Sequence, residues 1–200
     1  MVTKKQAPPA IYIIILHKIL LGNCLIRTFI RFSKFGKSGL AGKLKSSLII
    51  DQQQLNRDNI AIFGISYGGY ATMLSLTKKP SLWKAGCAWV GISHWLNMYE
   101  KSMPHFKNYM IQLFGDPSKE EVRNLMNERS PLNYIKNIKA PILLMHGVND
   151  PRCPVDESRN FREKLIENGK IEGKDFEYVE FGEEGHTAMG DLDKDRTSKQ

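Results

Sequence analysis

A serine, an aspartate and a histidine occur in an order that suits nucleophilic catalysis: Ser66, Asp150 and His186. A serine hydroxyl is a poor nucleophile until a neutral imidazole accepts its proton, and the imidazole needs a carboxylate to fix its tautomer and stabilise the cation. We therefore predict that Ser66 is the nucleophile, His186 the general base and Asp150 the group that orients the histidine. The backbone N–H of Tyr67, directly after the serine, is predicted to be one oxyanion donor.

The serine lies in a segment that predicts a nucleophile elbow: Gly-Ile-Ser-Tyr-Gly-Gly-Tyr at 64–70, after the apolar run 60–63. Such a serine projects from a turn so tight that Cβ atoms beside it would collide with the neighbouring strand and helix. Gly64 and Gly68 remove those collisions. The β-prone run before the turn and the apolar stretch 70–76 after it predict the required strand and helix. An ordinary serine in a glycine-rich turn is the alternative, and it requires no partners downstream.

The acid and the histidine each follow a predicted strand. The apolar segment 141–147 is typical of a strand buried in a parallel sheet, and it runs into the turn that carries Asp150. The alternating segment 175–181 predicts a half-exposed strand that ends at the loop of His186, and 155–168 between them predicts an amphipathic helix. Alone, the aspartate could simply cap its turn and the histidine could be solvated. Their order, each just past a strand, favours the catalytic interpretation.

The stretch from Ile60 to His186 resembles the carboxyl-terminal catalytic domain of the prolyl oligopeptidase family, which includes acylaminoacyl peptidases and dipeptidyl peptidases. The doubled glycine and tyrosine after the serine carry the resemblance, together with matching segments at 84–86, 89–93, 140–147, 149–152 and 184–186. The resemblance implies an α/β-hydrolase fold, with a mostly parallel sheet flanked by helices. It also implies hydrolysis of short or amino-terminally blocked peptides through an acyl-enzyme on Ser66, without a cofactor.

Some features of that family are not found in the sequence. A chain of 200 residues cannot hold the family's usual β-propeller beside a hydrolase domain, and the His-Gly-Gly motif that often marks the second oxyanion donor is absent. The segment 187–200 has few large apolar residues, so we expect a weak or missing last helix and a poorly supported histidine loop. We therefore expect an incomplete fold. Two alternatives stay open: a small-ester hydrolase with the same three residues, and an inactive shortened paralogue.

All of the excess positive charge lies in the first 60 residues. The chain has a formal net charge of +8; residues 1–60 contain ten Lys or Arg and two acids, and the remainder contains nineteen of each. This shift predicts a basic, partly apolar leader at 1–50, a hydrolase domain at 51–190 and a polar tail at 191–200. We expect the leader to replace early strands of the sheet in part, or to be a poorly adapted extension.

Other functions of the basic leader are less consistent with its sequence. Basic residues interrupt its apolar stretch at 10–32, which disfavours a membrane span, and its apolar core at 11–16 is too short for a secretory signal. An amphipathic helix lying on a membrane stays open as an alternative, although the apolar residues do not fall cleanly on one face. The lysines and arginines lack an aromatic-interleaved or zinc-binding pattern, which argues against a nucleic-acid partner. We expect short peptides as partners, and the sequence does not indicate an oligomeric state.

The cysteines and one aromatic segment complete the sequence-based predictions. Cys24, Cys87 and Cys153 are odd in number and form no C-x-x-C pair, which predicts neither a disulfide framework nor a metal site and favours a reducing, cytoplasmic setting. In the segment 89–99, after a predicted strand, Trp95 and Tyr99 could line an apolar substrate pocket or pack in the core. Arg152 is a weaker pocket candidate.

Overall fold

The computed structural model describes residues 60–186 in full and only the backbone of short strands within 11–32. These residues form a six-stranded sheet with helices packed against it. Its order across the sheet is β4, β1, β5, β6, β7, β8, and β2 pairs with β3 separately. In chain order the strands are β1 (Ile11–His17), β2 (Leu20–Leu21), β3 (Cys24–Leu25), β4 (Ile30–Phe32), β5 (Ile60–Ile65), β6 (Ala85–Trp89), β7 (Ile142–Gly147) and β8 (Phe176–Phe181).

The strands β5 to β8 are parallel neighbours, whereas β1 is antiparallel to both β4 and β5. Parallel neighbours need crossover connections, and helices supply them. These are α1 (Tyr67–Lys78) after β5, then α2 (Trp95–Lys101), α3 (Pro104–Phe114), α4 (Glu120–Glu128) and a 3-10 helix (Pro131–Asn137) after β6, and α5 (Asp156–Glu167) after β7. The carboxyl ends of β5 to β8 therefore share one edge, where the loops that follow them converge.

Two apolar clusters stabilise this arrangement. The first joins the sheet to α1, α5 and the 3-10 helix, through side chains such as Ile62, Met73 and Leu144 that are at most 1% exposed. The second joins α1 to α2, α3 and α4 and contains Trp95 and Met126. Helix α1 is buried along ten of its twelve residues because both clusters use it. This explains why the helix after the elbow has no charged residue before Lys78.

The predicted α/β fold is confirmed: a parallel sheet is flanked by helices, and the elements around the three polar residues lie where their patterns indicate. The predicted amphipathic helix at 155–168 is α5, and Gly169 follows it with a φ of 76°, a conformation suited to a glycine that ends a helix. Strands within 11–32 extend the sheet beyond β5, where early strands were expected to be replaced in part. The predicted domain boundaries stay a prediction, and 187–200, with the predicted tail, lies outside the described residues.

In the part of the chain that the structure describes, no helix has both the length and the apolar composition needed to cross a bilayer.

Candidate active site

Ser66 occupies the turn between β5 and α1 in a strained backbone conformation. Its φ of 58° and ψ of −119° are rarely adopted by a residue with a side chain, and the turn is tied to the next strand by the bond from Ser66 N–H to the Trp89 carbonyl, at 2.8 Å. Helix α1 begins at Tyr67, so the backbone N–H of this residue lies in the first helical turn, at the positive end of the helix dipole. This is the position predicted for an oxyanion donor.

Backbone-to-backbone contact explains the glycines of the elbow. A Cβ on Gly64 would lie 2.1 Å from the carbonyl oxygen of Gly68, which is far inside van der Waals contact. A Cβ on Gly69 would lie 2.8 Å from the Cα of Gly91, in the loop after β6. The turn therefore closes only because these positions lack side chains; the collision at Gly64 was predicted, whereas the contact of Gly69 with the loop after β6 was not.

The carboxylate of Asp150 is held by the turn that follows β7. Its Oδ1 accepts hydrogen bonds from the backbone N–H groups of Arg152 at 2.8 Å and Cys153 at 2.9 Å, and its side chain is fully buried. Burial acts to raise the pKa of Asp150, but the imidazoles of His146 and His186 and the N–H of Cys153 favour the anion more, so its pKa lies well below the ordinary value. The group is a buried anion at neutral pH.

The loop of His186 packs directly on the loop of Asp150. The N–H of Asn149 donates to the Glu184 carbonyl at 3.0 Å, and a Cβ on Gly147 would lie 2.4 Å from the carbonyl oxygen of Gly185. The expected weakness of the histidine loop concerned a helix at 187–200, which lies outside the described residues. Within 60–186, backbone hydrogen bonds to the acid loop support it.

The structure brings the three predicted residues into one hydrogen-bonded line. His186 Nδ1 lies 2.6 Å from Asp150 Oδ2, and His186 Nε2 lies 2.9 Å from the Oγ of Ser66. With Nδ1 donating to the carboxylate, Nε2 of a neutral imidazole is the acceptor for the serine hydroxyl. This arrangement can take a proton from Ser66 as its oxygen attacks a carbonyl group.

Sequence reasoning did not identify a buried polar network behind Asp150. His146 is 0% exposed, with Nδ1 at 2.7 Å from the Ser158 Oγ and Nε2 at 2.8 Å from the Cys153 carbonyl oxygen. Its position four residues before the acid, at the end of an apolar strand, was the available signal. A histidine in a strand that is buried on both faces needs polar partners, and the turn beside it is the nearest source.

Glu157 is the second buried acid of this region. Its Oε2 accepts from the N–H and hydroxyl of Ser93, at 2.7 and 2.8 Å, and from the N–H of His94 at 2.7 Å, whereas no described protein atom hydrogen-bonds its Oε1. Burial raises the pKa of Glu157 above its ordinary value, although the donors of His94 and Ser93 act in the opposite direction. The carboxyl group connects α5 to the loop that precedes α2.

The predicted pocket residues have different environments. Trp95 is 2% exposed and its ring packs against Tyr70 and Phe114, with centroids 4.9 and 5.0 Å apart. Tyr99 is partly buried against the same cluster, which includes Tyr67 beside the serine. Arg152 has an exposed side chain on the acid loop. Trp95 and Tyr99 thus belong to an aromatic cluster that reaches the elbow, and a substrate contact by any of the three stays a prediction.

Neither the cysteines nor the acids of the described region form a metal site. No group of three or more His, Cys, Asp or Glu side chains within 60–186 has a geometry that could hold a metal ion. Cys87 and Cys153 are both unpaired thiols, and burial raises the pKa of Cys87 to about 11. Burial also raises the pKa of Cys153 well above its ordinary value, so both thiols are protonated at neutral pH.

Comparison with known proteins agrees with this geometry. A family model described as prolyl oligopeptidase family matches residues 46–200. Dipeptidyl aminopeptidase BIII of Pseudoxanthomonas mexicana is 33% identical over 164 residues, which cover 78% of this chain and 23% of that protein. Dipeptidyl peptidase family member 6 of Caenorhabditis elegans is 36% identical over 110 residues, which cover 53% of this chain and 15% of that protein.

A solved structure of an acylaminoacyl peptidase has a similar fold. The acylaminoacyl peptidase of Pyrococcus horikoshii superimposes with a TM-score of 0.61 and 35% identity, over 70% of this chain and 22% of that one. The present chain therefore spans less than a quarter of the length of each of these relatives.

Proposed function

Since this chain belongs to the prolyl oligopeptidase family of serine peptidases, we propose that it hydrolyses short or amino-terminally blocked peptides through an acyl-enzyme on Ser66. The observation that carries the proposal is the pair of hydrogen bonds, 2.6 and 2.9 Å long, that connects Asp150 through His186 to the Ser66 hydroxyl. Two of the similar proteins are a dipeptidyl aminopeptidase and an acylaminoacyl peptidase, which supports peptides as the substrate class.

The proposed reaction has two halves. Ser66 Oγ forms a bond to the carbonyl carbon of the substrate while its proton passes to His186 Nε2, and the tetrahedral intermediate then breaks its C–N bond as the same proton moves to the leaving amine. Water repeats the sequence on the acyl-enzyme, with His186 again accepting and returning a proton. Asp150 stabilises the imidazolium in both halves because its carboxylate stays ionised.

The backbone N–H of Tyr67 is the proposed donor to the developing oxyanion. Its place directly after the nucleophile, in the first turn of α1, supports this role. One such donor contributes about 2.7–4 kcal/mol of transition-state stabilisation in serine peptidases. The segment from which a second donor would come is not identified in the sequence.

We propose that the aromatic cluster beside the elbow forms the wall of the pocket for the acyl-side residue. The rings of Tyr67 and Trp95 lie 6.0 Å apart, and Tyr99 packs on the same cluster, so an apolar surface continues from the nucleophile toward α2. Arg152, exposed on the acid loop, is proposed to bind the polar end of a substrate.

The cytoplasmic setting predicted from the cysteines remains a proposal as well.

A fluorophosphonate probe tests the proposal, because it reacts with activated serines. The purified chain is expected to be labelled, and Ser66→Ala is expected to abolish labelling. Ser81→Ala is the matched control, since Ser81 is an exposed serine in the turn between α1 and β6. A folded wild-type sample that takes no label would contradict the enzyme function and favour the inactive paralogue.

Substrate class is tested with the same preparation. Peptide anilides with blocked and free amino termini are expected to be turned over, and the release of the anilide is measured beside that of nitrophenyl esters. Turnover of esters alone would contradict the peptidase proposal and favour the small-ester hydrolase.

A further inference from the structure

The fully buried His146 can be assigned one tautomer from its neighbours. Its Nε2 lies 2.8 Å from the carbonyl oxygen of Cys153, which only accepts hydrogen bonds, so Nε2 carries the proton and donates it. The other ring nitrogen, Nδ1, then accepts from the hydroxyl of Ser158 at 2.7 Å. A neutral imidazole satisfies both contacts at once.

The hydrogen bond to Cys153 closes the turn that carries Asp150. The turn begins at the end of β7, and the N–H groups of Arg152 and Cys153 both donate to Asp150 Oδ1. The backbone of Cys153 is therefore held by both of its polar groups, since its N–H donates to the carboxylate and its carbonyl accepts from His146. Oδ1 has no lone pair to spare, and Oδ2 is left for His186.

The imidazole also lies close to the second carboxylate oxygen. His146 Nε2 is 3.6 Å from Asp150 Oδ2, beyond hydrogen-bond length but close enough for the polar N–H to favour a negative charge there. Both side chains are 0% exposed, so water does not screen this interaction.

We infer that His146 is a positioning residue for Asp150, which holds the acid turn in the geometry that directs Oδ2 toward His186. This inference rests on the proposed function of Ser66, Asp150 and His186. His146 touches neither Ser66 nor His186 by any hydrogen bond of the described residues, so it acts through the carboxylate.

Two amide variants test whether the turn needs a hydrogen-bond donor at the position of Nε2. The side-chain nitrogen of His146→Gln can occupy the place of Nε2 and donate to the Cys153 carbonyl, whereas the shorter His146→Asn reaches only as far as Nδ1. The rate of fluorophosphonate labelling is expected to fall about 10- to 100-fold in the Asn variant and to stay within about threefold of wild type in the Gln variant.

A spectroscopic signature distinguishes positioning from general destabilisation. The proton on His186 Nδ1, in a bond of 2.6 Å to Asp150, is expected to give a far-downfield resonance in one-dimensional proton NMR, identified by its loss in Asp150→Asn. It should persist in His146→Gln and be lost or moved upfield in His146→Asn. Leu165→Ala, a change in the core of α5, is the stability control. It should lower the melting temperature but leave both the labelling rate and the resonance unchanged.

The outcomes are distinct for this inference and for the proposed function. A His146→Asn variant that labels at the wild-type rate and keeps the resonance would overturn the inference while leaving the peptidase proposal intact. A wild-type chain that takes no label, but whose resonance responds to the two variants as described, would refute the proposed function alone. If the Asn variant does not fold, Ser158→Ala replaces it. Removal of the donor to Nδ1 is expected to slow labelling several-fold, and an unchanged rate and resonance would contradict positioning.

Discussion

The two sides of the site are held in place by different forces. On the side of Ser66, the elbow is shaped by backbone contact, since a Cβ at Gly64 would overlap the carbonyl of Gly68, and Ser66 itself has a positive φ. On the side of the acid and base, the loops are held by buried hydrogen bonds to Asp150, His146 and their neighbours. The first depends mainly on close backbone packing, whereas the second depends on charge and protonation.

The loops around Asp150 contain two buried carboxyl groups whose pKa values are shifted in opposite directions. Asp150 uses both oxygens and faces two imidazoles, and its pKa is lowered although burial opposes this. Glu157 uses Oε2 alone, and burial raises its pKa. Burial disfavours the anion at both positions; the two imidazoles and the N–H of Cys153 outweigh it at Asp150, whereas the donors of Ser93 and His94 do not outweigh it at Glu157.

The largest expected effect is on the acid side. Asp150→Asn keeps an oxygen for the N–H groups of Arg152 and Cys153 but presents no anion to His186, so the imidazole loses both its fixed tautomer and its counter-charge. In serine peptidases such a change lowers the rate about 10⁴-fold. Labelling kinetics with a fluorophosphonate measure this loss, and thermal melting checks that the variant is folded. A folded variant that labels at the wild-type rate would remove Asp150 from the proposed mechanism.

The next largest effect is expected at the elbow, where an added side chain would collide with the backbone and lower the free energy of unfolding. Gly64→Ala places a methyl group 2.1 Å from the Gly68 carbonyl oxygen, where the nearest atoms are all backbone and cannot rotate away, and we expect a loss of at least about 3 kcal/mol in the free energy of unfolding. Denaturant titration measures it. Gly182→Ala is the control because nothing lies within 4 Å of the added Cβ, and its stability should match wild type. Equal stability of the two variants would contradict the steric explanation.

The two carboxyl groups predict opposite dependences of stability on pH. A lowered folded pKa means that the stabilisation by Asp150 is present above its ordinary pKa of about 3.9 and is lost as the pH falls below it. A raised folded pKa means that the contribution of Glu157 is present in acid and is lost as the pH rises through that pKa.

Urea titrations across pH test both signs. Wild type should lose more stability than Asp150→Asn between pH 6 and pH 3. It should gain stability relative to Glu157→Gln as the pH falls from neutral to below the ordinary pKa of a glutamate, about 4.3. Parallel curves for wild type and either variant would show that the corresponding group does not titrate differently in the folded state.

The smallest expected effect concerns the strain at Ser66. With a φ of 58°, this position suits glycine, so Ser66→Gly should be more stable than Ser66→Ala by about 1 kcal/mol. The same pair at Ser81, which is not among the described residues with a positive φ, should have the reverse order because glycine is more flexible when unfolded. Thermal melts of the four variants measure both differences.

The elbow could be predicted from the sequence because its determinants all lie within residues 60–76 of the chain. The glycine spacing, the apolar strand before Ser66 and the apolar helix after it all act locally, so the pattern reveals the turn. Asp150 and His186 were predictable for a related reason, since each directly follows a segment with a strand period. The register that aligns those strands in a parallel sheet then places their carboxyl ends at one edge.

The support behind the acid was not predictable in the same way. In the sequence, His146 is at the end of a predicted buried strand and Glu157 is near the start of a predicted amphipathic helix. Their partners, Cys153 and Ser93, are identified only when the loops meet. The environments of Trp95 and Tyr99 were equally undecided, because an aromatic side chain near a crevice can either line it or pack in the core.

The sequence by itself thus determined the fold class, the turn that presents Ser66 and the identity of the three polar residues, since periodicity and glycine spacing are local properties of the chain. The tertiary structure decided the distances between those residues, the tautomer of His146 and the opposite pKa shifts of Asp150 and Glu157. Each of these depends on which groups surround a buried atom, and residues far apart in the chain supply those groups.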